Sequence, residues 1–432
     1  MRIRNRADFL GLDWAVLLSG ILCFVLISVG LTRPVVYLVL WAYMVLLAFC
    51  GPVKVAFYNL LILMPYAMVF KLSSGSTSLW TYYMLFAAVL VAMRVKRINA
   101  KVLTLLLCFV VYTVFGVKGA VTDWIKQIAA VLLLYFFVKT ADIEDAKNYT
   151  AAYGLGLLGS SIIGLNKVTN PAIVKYFSSL KSEYINGVST YRFTGLYLDP
   201  NYYAVGLVLI LFLGILLLVN KKAPKAVFIP MLLALLYFGF LSYSRMFIIS
   251  VALAVVFFTG YLLKGRKGVG IAVAFAVIIG VMIYFIGTQT TLIDGLLSRF
   301  GRADISNNRF NIWSSYMNYI VGTNHVLFLG TGLGSPYYNG VGPHNTFIEV
   351  LYFMGVVGSV LYYYLLGIIM TCRREIKRRK MIHYALLLVF LVMISTLGYF
   401  KTNDFLFCFM FVWLGMNLDV KLKQGSPQKL YK

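Results

Sequence analysis

Long apolar runs separated by short polar segments make up most of the chain. Many runs are about 20 residues long, the length that an α-helix needs to cross a hydrocarbon core of roughly 30 Å. The alternating segments of roughly 10 residues that are typical of a membrane β-barrel do not occur in the sequence. We therefore predict an all-α polytopic membrane protein with about 14 transmembrane helices and no fewer than about 12.

The run boundaries predict spans at 10–31, 35–51, 53–71, 77–94, 101–119, 122–139, 147–165, 200–220, 225–243, 246–263, 269–288, 344–370, 381–399 and 403–419. Charged residues interrupt the runs within 35–71 and 101–139. Each of these regions is predicted as two spans, and their interruptions are the reason that the helix count is given as 12 to 14. A basic segment precedes the first run, but that run has span length and no clear cleavage site follows it. We expect an uncleaved first helix and not a signal peptide.

Composition supports the membrane assignment and excludes some kinds of site. The chain is 61% hydrophobic and only 12% charged, with a mean hydropathy of +0.86, more apolar surface than a soluble domain can bury. The five cysteines are odd in number and mostly lie in apolar runs, so we expect neither a disulfide framework nor a cysteine metal site. The sequence also lacks a phosphate-binding glycine loop and metal-ligand spacing, and we predict no cofactor and no metal.

The net charge of +25 has its simplest explanation in membrane topology. If the N-terminus is cytoplasmic, most of the 39 basic residues fall in inside segments, as the positive-inside rule requires. The sequence "RREIKRRK" at 373–380 is the firmest inside anchor, and both termini are then cytoplasmic, with a tail at 420–432. This distribution does not indicate nucleic-acid binding.

We predict a single integral membrane domain over residues 1–432. Two segments on the outer side are long, at 166–199 and 289–343. Neither is large enough to form a core of its own. Long loops in a compact helical protein usually carry function, so the functional residues are expected there.

Several arginines lie on the predicted outer side, against the positive-inside rule. They are Arg192, Arg245 and Arg309, together with Arg299 and Arg302. Each could reach the outer headgroups by extending its side chain. The alternative is a site that binds phosphate oxygens, because a guanidinium group is always charged and its fork matches phosphate.

His344 is the best candidate for proton transfer. It follows a Gly-Val-Gly-Pro turn and precedes a long apolar run, at the outer N-terminus of a predicted helix. The positive end of that helix favours a neutral imidazole, which can act as a base. Asn345 could orient the ring or bind sugar, and Glu349 is a second candidate, although helix geometry turns it about 140° away. We interpret His325 and His383 as structural.

Three acidic residues have structural interpretations. Asp199 precedes Pro200 at the start of a predicted helix and is expected to cap it. Asp13 and Asp404 lie near the ends of spans and are expected to be structural.

Three motifs resemble the O-antigen ligase and O-antigen polymerase superfamily of bacterial membrane glycosyltransferases. They are "RFTGLYLDPNYYA" at 192–204, "SYSRMFII" at 242–249 and "GTGLGSPYYNGVGPHNTFIEVLYFMGVVGS" at 330–359. These are similar to an Arg-x-x-Gly followed by a Pro-Asn helix start, a Ser-Arg before a span, and a Gly-x-Gly, His-Asn, Gly-x-x-Gly series. With the span pattern, the resemblance covers roughly residues 60–420.

The resemblance implies a GT-C-like helical enzyme of the bacterial inner membrane that works at the outer leaflet. A glycan linked to polyprenyl (undecaprenyl) pyrophosphate is transferred onto an acceptor hydroxyl, without a metal and with inversion. A polymerase lengthens a surface polysaccharide such as O-antigen, capsule or exopolysaccharide, a ligase uses lipid A core as acceptor, and an oligosaccharyltransferase uses a protein. The implied partners are the bilayer, the lipid-linked donor and acceptor, a flippase and a chain-length regulator.

The resemblance assigns roles to the candidate residues. Arg192, Arg245 and Arg309 would bind pyrophosphate, and His344, with Glu349 in reserve, would activate the acceptor hydroxyl. The residues expected to bind substrate are Asn201, Asn345, Tyr337 and Tyr338. Because the longest outer loop is only about 55 residues, we expect a polymerase before a ligase. A flippase for lipid-linked oligosaccharides and a cell-wall glycan polymerase are the rival interpretations.

Overall fold

The computed structural model describes residues 8–9, 11–95, 98–116, 121–177, 182–185, 188–262, 308–372, 382–402 and 404–418. The predicted span 269–288, the inside anchor 373–380 and the tail 420–432 lie outside these residues, as do Arg299 and Arg302. The same holds for the side chain of His383. The described residues form 16 α-helices and two short antiparallel hairpins.

The first eight helices are α1 (Trp14–Gly30), α2 (Val36–Cys50), α3 (Val53–Leu63), α4 (Leu79–Arg94), α5 (Ala100–Gly116), α6 (Val121–Thr140), α7 (Ala146–Gly164) and α8 (Pro171–Val174). The next eight are α9 (Pro200–Val219), α10 (Lys225–Leu241), α11 (Arg245–Leu262), α12 (Arg309–Gly322), α13 (Asn324–Leu329), α14 (Thr346–Thr371), α15 (Ile382–Ser395) and α16 (Phe405–Asn417). Single 3-10 turns lie at Met64–Tyr66, Ile143–Asp145 and Tyr338–Gly340.

The two hairpins pair β1 (Asp8–Phe9) with β2 (Leu12–Asp13), and β3 (Ser182–Ile185) with β4 (Val188–Tyr191). The second hairpin lies in the outer loop predicted at 166–199 and ends at the residue before Arg192. It therefore fixes the point at which the chain enters the first motif.

The predicted all-α membrane architecture is confirmed in its main features. Three described helices, α6, α9 and α14, are long and apolar enough to cross a membrane. Most of the other predicted spans coincide with apolar helices of 10–17 residues. The span predicted at 53–71 is shorter than expected, because α3 ends at Leu63 and a 3-10 turn containing Pro65 follows.

Acidic and amide side chains cap several of these helices, as their positions in the sequence indicate. Asp199 accepts a hydrogen bond from the backbone N–H of Asn201 and caps α9. Asp13 caps α1 and forms a salt bridge of 3.1 Å with Lys54. Asp404 lies at the N-cap position of α16, but its carboxylate accepts from the Tyr399 hydroxyl at 2.8 Å and makes no capping bond. The structural roles predicted for the three aspartates agree with these positions.

The core lies where α7 packs against α1, α3, α9 and α10, and where α16 packs against α6, α9 and α15. Helix α14 contacts α5, α6, α13 and α15. This arrangement brings the starts of α9, α11, α14 and α16 toward the α15–α16 loop (residues 396–404).

Helix α14 is broken at Gly355, where φ is 59° and ψ is −175°. The carbonyl oxygens at the break accept hydrogen bonds from other parts of the protein: Tyr352 from the N–H of Thr331, and Phe353 from the N–H of Gly332, both at 2.9 Å. The Tyr112 hydroxyl contacts the carbonyl oxygens of Met354 and Leu329. The Gly-x-Gly motif thus satisfies backbone groups that water cannot reach in a membrane.

Candidate functional site

Hydrogen bonds join three helix starts to the α15–α16 loop. The Tyr202 hydroxyl in the first turn of α9 donates to the carbonyl oxygen of Gly398 at 2.7 Å. The Thr346 hydroxyl at the start of α14 donates to the carbonyl oxygen of Leu397 at 2.6 Å, and the Thr396 hydroxyl contacts the sulfur of Met246 in α11 at 3.0 Å. Helix N-termini carry partial positive charge, so their convergence favours an anion at this end of the bundle.

The first two motifs lie against each other at this end. The N–H of Phe193 donates to the carbonyl oxygen of Leu241 at 3.1 Å, and Nε of Arg192 donates to that of Ser242 at 3.3 Å. The Ser244 hydroxyl donates to Oδ1 of Asn201 at 2.9 Å. Because Arg245 directly follows Ser244, these bonds hold the Arg192 and Arg245 segments side by side. Arg192 is buried and Arg245 is half-buried.

Lys167 supports the Arg192 segment from the opposite side. Its Nζ donates to the Thr194 hydroxyl and to the carbonyl oxygen of Tyr197, both at 2.6 Å, and it lies 3.5 Å from the centre of the Phe177 ring. The side chain is only 1% exposed, and this burial lowers the pKa of Lys167 to about 7. No motif or spacing in the sequence distinguishes this lysine.

His344 is exposed and precedes α14. Its φ of 48° is left-handed, a conformation that an ordinary side chain holds only when its surroundings impose it. Two contacts fix the flanking residues: Trp313 Nε1 donates to the carbonyl oxygen of Pro343 at 2.7 Å, and the Asn345 side chain accepts from the N–H groups of Phe347 and Ile348. Asn345 is therefore the N-cap of α14, and His344 lies outside the helix.

Glu349 is fully buried beneath this turn. One carboxylate oxygen accepts from the Tyr337 hydroxyl at 2.6 Å and the other from the N–H of Phe400 at 2.9 Å. A Cβ placed on Gly398 would lie 3.4 Å from Oε2 of Glu349 and 3.6 Å from the backbone nitrogen of His344. Glu349 and His344 therefore contact the same loop, although no helix face joins them.

The two candidate tyrosines pack within the protein. The Tyr337 hydroxyl donates a hydrogen bond to Glu349. Burial raises the pKa of Tyr337, and the negative charge of the Glu349 carboxylate raises it further. Tyr338 stacks on Tyr319 with ring centres 4.5 Å apart.

Lys401 belongs to the α15–α16 loop and joins it to the segment before His344. Its Nζ donates to the carbonyl oxygen of Ser335 at 3.1 Å and lies 5.0 Å from the Tyr337 ring. Burial lowers the pKa of Lys401, and the Glu349 charge partly offsets that shift. The sequence around Lys401 does not distinguish it either.

Helix α12 covers the segment that leads to His344. In addition to the Trp313 bond, the Tyr316 hydroxyl donates to the carbonyl oxygen of Val341 at 2.6 Å. Arg309, the first residue of α12, is one turn before Trp313 and so shares its face of the helix. His325 is exposed on α13.

An apolar groove of about 610 Å³ opens between α5, α13 and α14. Its lining residues are Thr104, Leu107, Cys108, Val111, Tyr112, Leu329 and Leu361. Tyr112 joins the groove to the break in α14 through its hydroxyl. Among the described residues, no three His, Cys, Asp or Glu side chains group in the manner of a metal site.

Comparison with known proteins supports the motif assignment. A family model described as O-antigen ligase matches residues 230–363, which contain the second and third motifs with Arg245, Arg309, His344 and Glu349. The resemblance to the O-antigen ligase and polymerase superfamily is thereby confirmed. No curated protein and no solved structure matches the chain. The match covers about a third of the chain, so it shows a similarity of residues 230–363 to this family, and three described helices are long and apolar enough to cross a membrane.

Proposed function

We propose that the protein polymerises a cell-surface polysaccharide at the outer leaflet of the inner membrane. In this proposal it transfers a glycan from polyprenyl pyrophosphate onto the sugar hydroxyl of a second lipid-linked repeat unit. The observation that carries the proposal is the convergence of two arginine segments and the His344 turn on the α15–α16 loop. Fixed positive charge and an exposed imidazole are what this transfer needs at one place.

The proposed step uses the residues as follows. His344 accepts the proton of the acceptor hydroxyl, whose oxygen forms a bond to the anomeric carbon of the donor. The bond between that carbon and the pyrophosphate oxygen breaks with inversion, and the lipid pyrophosphate leaves with the electron pair. Arg192 and Arg245 stabilise the charge that develops on the leaving group, with Arg309 as a third contact. Charge-assisted hydrogen bonds to such a group are each worth roughly 1.5–3 kcal/mol.

Two further features support a lipid-linked substrate and a polymerase. The groove between α5, α13 and α14 is lined mainly by apolar side chains, and we assign it to a lipid tail. The outer segment before α14 packs tightly through Tyr316, Tyr319 and Tyr338. In this proposal that compact segment accommodates a sugar acceptor better than a large lipid A core. The side-chain oxygens of Asn201 and Asn345 accept the hydrogen bonds described above. We propose that their amide NH₂ groups contact sugar.

The test is an assay of the purified full-length protein with a synthetic lipid-linked repeat unit. A ladder of lengthened glycans supports polymerisation, whereas a single transfer onto lipid A core indicates a ligase. Movement of the lipid across proteoliposomes without lengthening indicates a flippase. Wild-type activity in both His344→Ala and Arg245→Ala would overturn the proposed step.

A further inference from the structure

The Glu349 carboxylate has no exposure and both of its oxygens are engaged. Oε1 accepts from the Tyr337 hydroxyl and Oε2 accepts from the N–H of Phe400. A general base must reach the proton that it removes, directly or through one water. In this arrangement an acceptor sugar would have to displace Tyr337 or the α15–α16 loop to reach Glu349.

Glu349 joins three segments that are far apart in sequence: the loop before His344, helix α14 and the α15–α16 loop. Thr346, three residues earlier on the same side of α14, holds that loop a second time. Its hydroxyl donates to the carbonyl oxygen of Leu397 at 2.6 Å and accepts from the N–H of Tyr399 at 3.1 Å. The loop is thus bound to α14 at two points one turn apart.

The same loop contacts the His344 turn at Gly398, where a Cβ would come within 3.6 Å of the His344 nitrogen. The turn holds His344 at a left-handed φ of 48°. Such a conformation is uncommon for a non-glycine residue, and neighbouring structure stabilises it. The loop that Glu349 anchors is part of that neighbouring structure.

We propose that Glu349 is a positioning residue for His344 and does not itself take the proton. This proposal rests on the function proposed above. Through Phe400 and Tyr337, Glu349 fixes the α15–α16 loop and the 330–343 segment around the His344 turn. The imidazole is thereby kept at the outer end of α14, on the side of the arginine segments.

Glutamine at this position distinguishes the two roles. In Glu349→Gln the amide oxygen can accept from the N–H of Phe400, while the amide NH₂ donates to the Tyr337 oxygen, since a tyrosine hydroxyl can accept as well as donate. The geometry is then retained but the proton acceptor is lost. Glu349→Ala removes both contacts. Glu144→Gln is the matched control, because Glu144 is exposed and lies at the α6–α7 turn.

The experiment measures transfer rates against pH for the full-length protein and these three variants. For Glu349→Gln we expect a loss in kcat of no more than about fivefold, the rate equivalent of one neutral hydrogen bond. We also expect its transfer rate to fall at acid pH as in the wild type, because in this proposal protonation of His344 causes that fall. Glu349→Ala should lose more than about tenfold in kcat, and glutamine should rescue most of that loss.

Two outcomes would overturn the positioning role. One is a Glu349→Gln protein as inactive as His344→Ala with an unchanged melting temperature. The other is a Glu349→Gln profile that lacks the acid limb seen in the wild type. A wild-type protein with no transfer activity would count against the proposed function. The wild-type rate is therefore measured first, before any variant is compared with it.

Discussion

Replacing Gly355 by alanine should destabilise the protein through one contact that the structure defines. A Cβ on Gly355 would lie 2.4 Å from the carbonyl carbon and oxygen of Phe328, at a φ of +59°. Backbone in this region is almost restricted to glycine and costs about 1–3 kcal/mol for other residues. Separating α13 from α14 to relieve the overlap costs about another 1–3 kcal/mol. The expected total is about 2–6 kcal/mol.

The matched control is Gly367→Ala in the same helix. A Cβ on Gly367 has nothing within 4 Å, and in a helix interior this exchange stabilises by about 0.5–1 kcal/mol. The two variants should therefore shift the melting temperature in opposite directions. At about 2 °C per kcal/mol for a large domain, Gly355→Ala should lower it by roughly 4–12 °C.

The assay is thermal unfolding of detergent-purified protein at one fixed scan rate, since such transitions are often irreversible. A third variant adds a test of the cause. A Cβ on Gly330 would lie 2.4 Å from Phe353 carbonyl atoms, so Gly330→Ala separates the same two segments. The double variant should cost less than the sum of the single ones. A Gly355→Ala protein as stable as Gly367→Ala would refute this reasoning.

Three further predictions follow from other contacts. Burial lowers the pKa of Lys167 to about 7 in the native state, whereas the unfolded chain has the ordinary lysine pKa. At pH values between these two, the unfolded chain binds more protons than the native state. Stability should therefore rise with pH there by up to about 1.4 kcal/mol per unit, and melting temperatures at pH 7.5 and 9.5 should show this for wild type but not for Lys167→Met. Tyr112→Phe should cost about 1–3 kcal/mol by leaving a carbonyl oxygen without its donor, and the exposed Tyr82→Phe should cost nothing measurable. With Cys372, the third exposed cysteine, replaced, a long-chain lipid-linked donor should slow maleimide labelling of Cys108 in the groove and not of Cys50; equal protection would contradict the lipid-tail assignment.

The helices were predictable because the membrane leaves the backbone few choices. A helix satisfies its own backbone hydrogen bonds in hydrocarbon. An apolar run of sufficient length therefore indicates a helix directly. The start of α9 was also predictable, since Asp199 and Pro200 are cap and first-turn residues. The early end of α3 had a local signal in Pro65, which lacks the donor that a longer helix needs. The break at Gly355 had no comparable signal, because the N–H groups that bond the carbonyl oxygens at the break lie in the distant Gly-x-Gly motif.

The arginines of the candidate site were recognisable because, in the predicted topology, they lie against the positive-inside rule. Lys167 and Lys401 were not, although both lie on the same side. A lysine near a span end is ordinary in a membrane protein, and nothing in its neighbourhood in the sequence distinguishes a buried one. The information lies in distant partners: Thr194 and Tyr197 for the first, and Ser335 for the second.

Glu349 shows why spacing along the chain misjudges a site of this kind. The 140° separation between Glu349 and His344 assumes that both residues belong to one helix. Asn345 caps α14, however, and His344 precedes it in a left-handed turn, so helical periodicity does not relate the two. What relates them is Gly398, which lies about 50 residues further along the chain, at a position where a Cβ would come within 3.4 Å of Glu349 Oε2 and 3.6 Å of the His344 backbone nitrogen. Glu349 therefore belongs to the His344 turn through that loop, and a change at Gly398 should disturb both residues together.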